Sequence, residues 1–323
     1  MAAGTAARSP SPAPITRRIP WRTALAAALV VTLGRPATWV VALAGFLAGG
    51  GVIALAWPVL VLPTPSGLQN ILGAPVATLA FGNPSAEFMR LIAVTAGTAT
   101  VVFVSGLVAG AWAERRGIAM VLVAAEEEGY AAPVPRLATL PAVLRVAVIR
   151  LAALIPPLVV FVLAWPTLYA VTYHELILPD DLVTPLPVRV VAQLPVQLSA
   201  LLLVWAASDL AAALAVRRLI VERRRLATAW LLGWADLVRR PHRVIPAALI
   251  GDLAVVAAAG PALVASALAW AQVRDALELA PDSPLGIAVT VMWVALWLGC
   301  LVLAGFGNAF RAALLTLEGA RRA

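Results

Sequence analysis

Apolar residues fill 62% of the 323 positions and charged residues only 12%, against roughly 45–50% and about 25% in an ordinary soluble domain. That balance excludes a water-soluble globule, which needs far more polar surface. The net charge of +8 rests on 24 basic residues, all arginine, that fall between apolar blocks and not on a basic face interleaved with aromatics, which excludes a nucleic-acid partner.

Residues 1–22, rich in Ala, Ser, Pro and Arg without an apolar period, read as a disordered basic tail. The run Thr23–Gly34 behind Arg17, Arg18 and Arg22 imitates a signal peptide. No small-x-small cleavage site follows it, Arg35-Pro36 interrupts it, and a full-length span begins at once, so it reads as part of the mature membrane domain. Spans are predicted over 37–62, 88–113, 151–173, 190–214, 243–270 and 286–310, each long enough to cross a bilayer with some tilt. The expected fold class is therefore all-α, integral to the membrane.

Between the spans, residues 63–87 hold Pro63, Pro65, Pro75 and Pro84 around a short apolar stretch and are predicted to form a helical turn on the membrane surface. Ile118–Ala125 is an apolar run before Glu126-Glu127-Glu128, which reads as a solvated helix end, with a partner-binding acidic patch as the alternative. Pro156, Pro157 and Pro166 predict kinks in the third span. Residues 174–189 read as a Pro-rich loop.

The arginines fix an orientation. Those of the tail and first corner, of the 114–150 and 215–243 connections and of the C-terminus number 21 of 24; only Arg90, Arg189 and Arg274 fall on the other side. The positive-inside rule makes the arginine-rich side cytoplasmic, with both termini inside and a bacterial cytoplasmic membrane as the location.

The inner connections resemble one another. Thr23–Arg35, Thr139–Arg150 and Thr228–Arg240 each run about a dozen residues to an arginine just before a span. Such a segment cannot cross a bilayer, and one with Arg on one face and Leu, Val and Trp on the other lies at headgroup level. Three repeats are expected, over 23–116, 139–218 and 228–312, each an interfacial amphipathic elbow and a two-span hairpin. Arg35, Arg150 and Arg240 are the interfacial corners, and 23–323 forms one domain.

An ionisable side chain inside lipid is costly and marks a candidate site. Asp252 stands about twelve residues past Arg240, roughly 15 Å into the bilayer by helical rise, and Asp209 reaches a similar depth. Together with Asn308 they make a hypothetical site for an ion or ligand. The alternative is that each acid is protonated or paired and fixes helix packing. Gln193, Gln197 and Ser208 fall on one face at 100° per residue and form a polar seam. Gly45, Gly49, Gly106 and Gly110 have the spacing that lets helix backbones approach.

Other chemistry is missing from the sequence. Cys300 is the single cysteine, and His174 and His242 fall on opposite sides of the membrane, so no metal site is expected. There is no phosphate-binding loop and no nucleophile elbow. No cofactor and no catalytic residue are assigned.

Trp234-Ala-Asp-Leu-Val-Arg-Arg-Pro241, Thr32-Leu-Gly-Arg-Pro36 and the three-hairpin plan resemble a group of uncharacterised bacterial multi-pass proteins. That group includes the membrane domains attached to glycerophosphodiester phosphodiesterases. The resemblance implies membrane residence; the chain has no soluble phosphodiesterase domain, so no catalytic residues carry over. The expected function is a non-enzymatic scaffold or accessory module. Its expected partners are the lipid bilayer, with anionic headgroups at the inner arginines, and a membrane or peripheral protein. A permease subunit with an intramembrane acidic site, and a lipid-modifying enzyme, are the alternatives.

Overall fold

The structure is a computed structural model that describes residues 21–56, 59, 82, 85–128, 139–178, 184–279 and 283–320. The tail over 1–20 and the expected helical turn over 63–87, apart from Gly82 and its last residues, lie outside them, as does the end of the first predicted span. Among the described residues every regular element is helical. Among the described residues six helices are long and apolar enough to cross a membrane.

In chain order the elements are α1 (Trp21–Gly34), α2 (Ala37–Ala56), α3 (Ala86–Glu127), α4 (Thr139–Ala152), α5 (Ile155–Ile177), α6 (Leu186–Gln193), α7 (Pro195–Val221), α8 (Leu226–Arg239), α9 (Pro241–Leu279) and α10 (Pro284–Ala320). Three of them, α1, α4 and α8, are 14 residues long, and each precedes a pair of spans.

Local chemistry places the helix starts. Ser85 caps α3, its Oγ accepting the Phe88 N–H at 3.2 Å with Glu87 in the first turn, where a carboxylate meets the positive end of the helix dipole. Ser283 caps α10 in the same way, accepting the Gly286 N–H at 3.0 Å. Pro195, Pro241 and Pro284 open their helices, positions where the missing N–H costs nothing. Pro156 and Pro157 also sit in a first turn, that of α5. The predicted kink there is instead a break at Ala153–Leu154, and only Pro166 is interior. In α2 the backbone widens into a π-helical turn over Leu47–Gly51, with Gly50 at φ +95°, a conformation open to glycine.

Helix lengths decide where everything else sits. With 42, 39 and 37 residues, α3, α9 and α10 run roughly 55–63 Å at 1.5 Å per residue. A bilayer takes about 30 Å of hydrocarbon and about 40–45 Å with headgroups. These helices are therefore longer than a bilayer is thick. The packed core lies at the arginine-rich end. Ala27, Ala28 and Val31 of α1 meet Val121, Ala124 and Ala125 of α3, Leu210 and Leu214 of α7, Val244 and Ala247 of α9, and Ala313 and Leu314 of α10. Ile118 and Leu122 join Val146 and Ile149 of α4, Val216 of α7 and Ala229 of α8. The apolar run Ile118–Ala125 is thus largely core, while Glu126–Glu128 are exposed.

The short helices differ in character. α1 carries no charge after Arg22: its alanine face is buried, and Leu29, Val30 and Leu33 are exposed. α8 has arginines at and just beyond both ends, with Leu231 and Val238 exposed between them. α8 crosses α7 so closely that a Cβ on Gly233 would overlap the Ala211 carbonyl oxygen.

The spans associate unevenly. α2 packs between α3 and α10, and α9 lies along α10. Gly45 faces Ala113, and Gly106 and Gly110 face Ala48, whereas nothing approaches Gly49. The second hairpin, α5 and α7, packs on itself and meets the others chiefly at the arginine-rich end, through α4, α8 and the foot of α10.

Candidate functional site

Six charged side chains from five helices form one row where the three hairpins meet. Arg150, in the last turn of α4, donates from Nε to Glu114 Oε2 at 2.7 Å and from Nη2 to Glu114 Oε1 at 2.6 Å. This is the fork-on-carboxylate geometry that only arginine offers. Its Nη1 donates to Asp209 Oδ1 at 2.6 Å. Arg311 of α10 takes the other oxygen of Asp209 at 3.2 Å through Nη2. Arg311 Nε stands 2.6 Å from Asp252 Oδ1, as a charge contact rather than an aligned hydrogen bond. Arg217 closes the other end, 3.8 Å from Glu114 Oε1, with its Nη1 donating to the Ala213 carbonyl at 2.6 Å. Three guanidinium groups and three carboxylates alternate, so the row is neutral as a whole.

The row's level along the molecule follows from the helices. About 27 residues lie between Asp252 and the far end of α9, about 27 between Arg311 and the start of α10, and about 28 between Glu114 and the start of α3, or roughly 40 Å in each case. That distance is about the thickness of a bilayer with its headgroups. Asp252 stands eleven residues past Pro241, the first residue of α9, and Asp209 fourteen past Pro195, the first of α7.

No family model, curated protein or solved structure matches the chain.

The structure brings Asp209 and Asp252 together through Arg311 and leaves Asn308 out. Asn308 lies one turn away, and its amide donates to its own helix at the Ala304 carbonyl, 2.9 Å. The corner arginines part company. Arg150 joins the row, Arg35 pairs with Glu127 at the end of α3, and Arg240 is exposed. The polar seam also divides. Ser208 is buried and donates to the Ala153 carbonyl at 2.6 Å, fastening α7 to the α4–α5 corner. Gln197 is half-buried on α7. Gln193 lies beyond a break at Leu194, on α6, so the single face expected from unbroken helical periodicity does not form.

Gln193 belongs to a second polar group at the far end. Its amide donates to Glu175 Oε1. Glu175 is 1% exposed, with Arg189 Nε 3.2 Å from its other oxygen and Arg189 Nη2 donating to its backbone carbonyl at 3.1 Å. Leu186, Val190 and Leu194 pack around this group.

Sequence reading passed over Glu114, Arg217 and Arg311 as members of a site. Glu114 stands one residue past the predicted end of the second span, which made it a loop residue. The available signal is the charge balance at the span feet, with an acid or an arginine at the arginine-rich end of every one of these helices. Among the described residues no three His, Cys, Asp or Glu side chains gather as a metal site, and each acid of the row is flanked by arginine.

Proposed function

We propose that the chain is a non-enzymatic module of the bacterial cytoplasmic membrane, a scaffold or accessory subunit with both termini in the cytoplasm. In this reading the units 23–116, 139–218 and 228–312 are three repeats, each an interfacial elbow followed by a hairpin, in keeping with the resemblance to the membrane domains of phosphodiesterases. The elbows, α8 above all, meet anionic headgroups through the arginines at their ends.

The observation that carries the reading is the state of the two acids. A carboxylate that binds and releases a transported cation must be free to exchange partners. Asp209, the less exposed of the two, is instead held between Arg150 and Arg311, and Asp252 meets the same Arg311 from an exposed position. Ion pairs that join three hairpins at one level serve to hold them in one arrangement.

The full chain reconstituted in liposomes tests this. Proton and monovalent-cation flux stays at the protein-free level for the wild type and for Asp252→Asn. A wild-type flux that Asp252→Asn abolishes would move the chain to the permease class.

A further inference from the structure

Asp209 and Asp252 stand on α7 and α9, two helices with no extensive interface, yet both carboxylates reach the one guanidinium of Arg311. The helix faces that bear them converge at the row. Toward the far end these faces are apolar and uncovered. Trp205 and Leu202 follow Asp209 at helical spacings of four and seven, Val256 follows Asp252 at four, and all three are exposed. The row is thus a charged floor between the two helices, and these exposed apolar side chains stand on its far-end side. That is the profile of an amphiphile.

The order of exposure selects the head. Side-chain exposure is 53% for Asp252 and 31% for Asp209, against 29% for Arg311 and 24% for Arg150. A visiting headgroup therefore meets carboxylate first and guanidinium behind it. A purely anionic head is repelled at the entrance, and a phosphocholine head has no N–H to donate. An ammonium next to a phosphate satisfies both charges.

We propose that the row lies at headgroup level and that it and these two faces bind one phospholipid of the arginine-side leaflet with a phosphoethanolamine head, the ammonium on Asp252 and the phosphate toward Arg311. The acyl chains lie along Trp205, Leu202 and Val256. The proposal rests on the scaffold reading and names the lipid that the scaffold holds.

The test is native mass spectrometry of the purified full chain, delipidated and offered phosphatidylethanolamine, N-acetyl-phosphatidylethanolamine, phosphatidylcholine and phosphatidylglycerol of identical chains. Phosphatidylethanolamine is retained about tenfold better than its N-acetyl and choline counterparts, the loss of one charge-assisted hydrogen bond. Asp252→Asn lowers that retention by a similar factor. Equal retention of phosphatidylethanolamine and its N-acetyl form, or preferred retention of phosphatidylglycerol, overturns the proposal. So does unchanged retention by a folded Asp252→Asn. Should that variant not fold, the lipid series decides alone, since it uses the wild type. A negative result here leaves the scaffold reading standing, because that reading falls only to cation flux.

Discussion

Arg150 holds Glu114 by two parallel hydrogen bonds, 2.7 and 2.6 Å long, and so ties the short helix before the second hairpin to the second span of the first. Glu114 is 16% exposed and Arg150 24%. Removing the arginine leaves two carboxylates, Glu114 and Asp209, short of their main partner, a loss of about 3–5 kcal/mol for such pairs when buried. Arg150→Gln should show a loss of that order in thermal unfolding followed in detergent. Arg150→Lys should fall between it and the wild type, since an ammonium keeps the charge but cannot form the fork.

A second prediction concerns the crossing of α7 and α8. Any side chain at Gly233 meets the Ala211 carbonyl oxygen, with Ala215 Cβ 2.9 Å away. Gly233→Val should cost about 1–3 kcal/mol by overpacking and should lower the melting temperature by several degrees. An equal substitution at Gly49, which nothing approaches, should cost less.

At the opposite end, Glu175 anchors α6 through Arg189 and Gln193. Glu175→Ala withdraws the carboxylate from a buried guanidinium, again about 3 kcal/mol. The loss should be local, because α6 packs mainly on α5 and α7. Hydrogen exchange over 186–193 should quicken while the core amides of α4 and α10 keep their protection.

Orientation is tested by labelling. Cys300 is buried, so a Cys300→Ala background admits single cysteines. In intact cells an impermeant maleimide should label Asp275→Cys and spare Thr228→Cys until the membrane is opened. The reverse pattern would invert the assignment.

The six spans were legible because apolar length is a one-dimensional signal, and the structure has six helices of the required length and hydropathy. Their ends were not. α3 continues to Glu127 because alanine-rich apolar sequence suits a packed protein core as well as lipid, and hydropathy does not separate the two. Asp209 and Asp252 were picked out by their cost in lipid. Their partners were invisible because Arg150 and Arg311 stand 59 and 102 residues from Asp209, a separation set by how hairpins fold back and not by any local spacing. Gln193 illustrates the opposite failure. Its periodicity with Ser208 assumed one unbroken helix, and the break at Leu194, before Pro195, removed it.

The most direct test of the central claim is a double-mutant cycle on Arg311 and Asp209, the link between the second and third hairpins. Arg311→Gln, Asp209→Asn and the pair are compared with the wild type by unfolding in detergent. Arg311 joining the hairpins predicts a coupling of about 1–3 kcal/mol, the double variant losing less than the two single losses combined. Losses that add to within about 0.5 kcal/mol would contradict it.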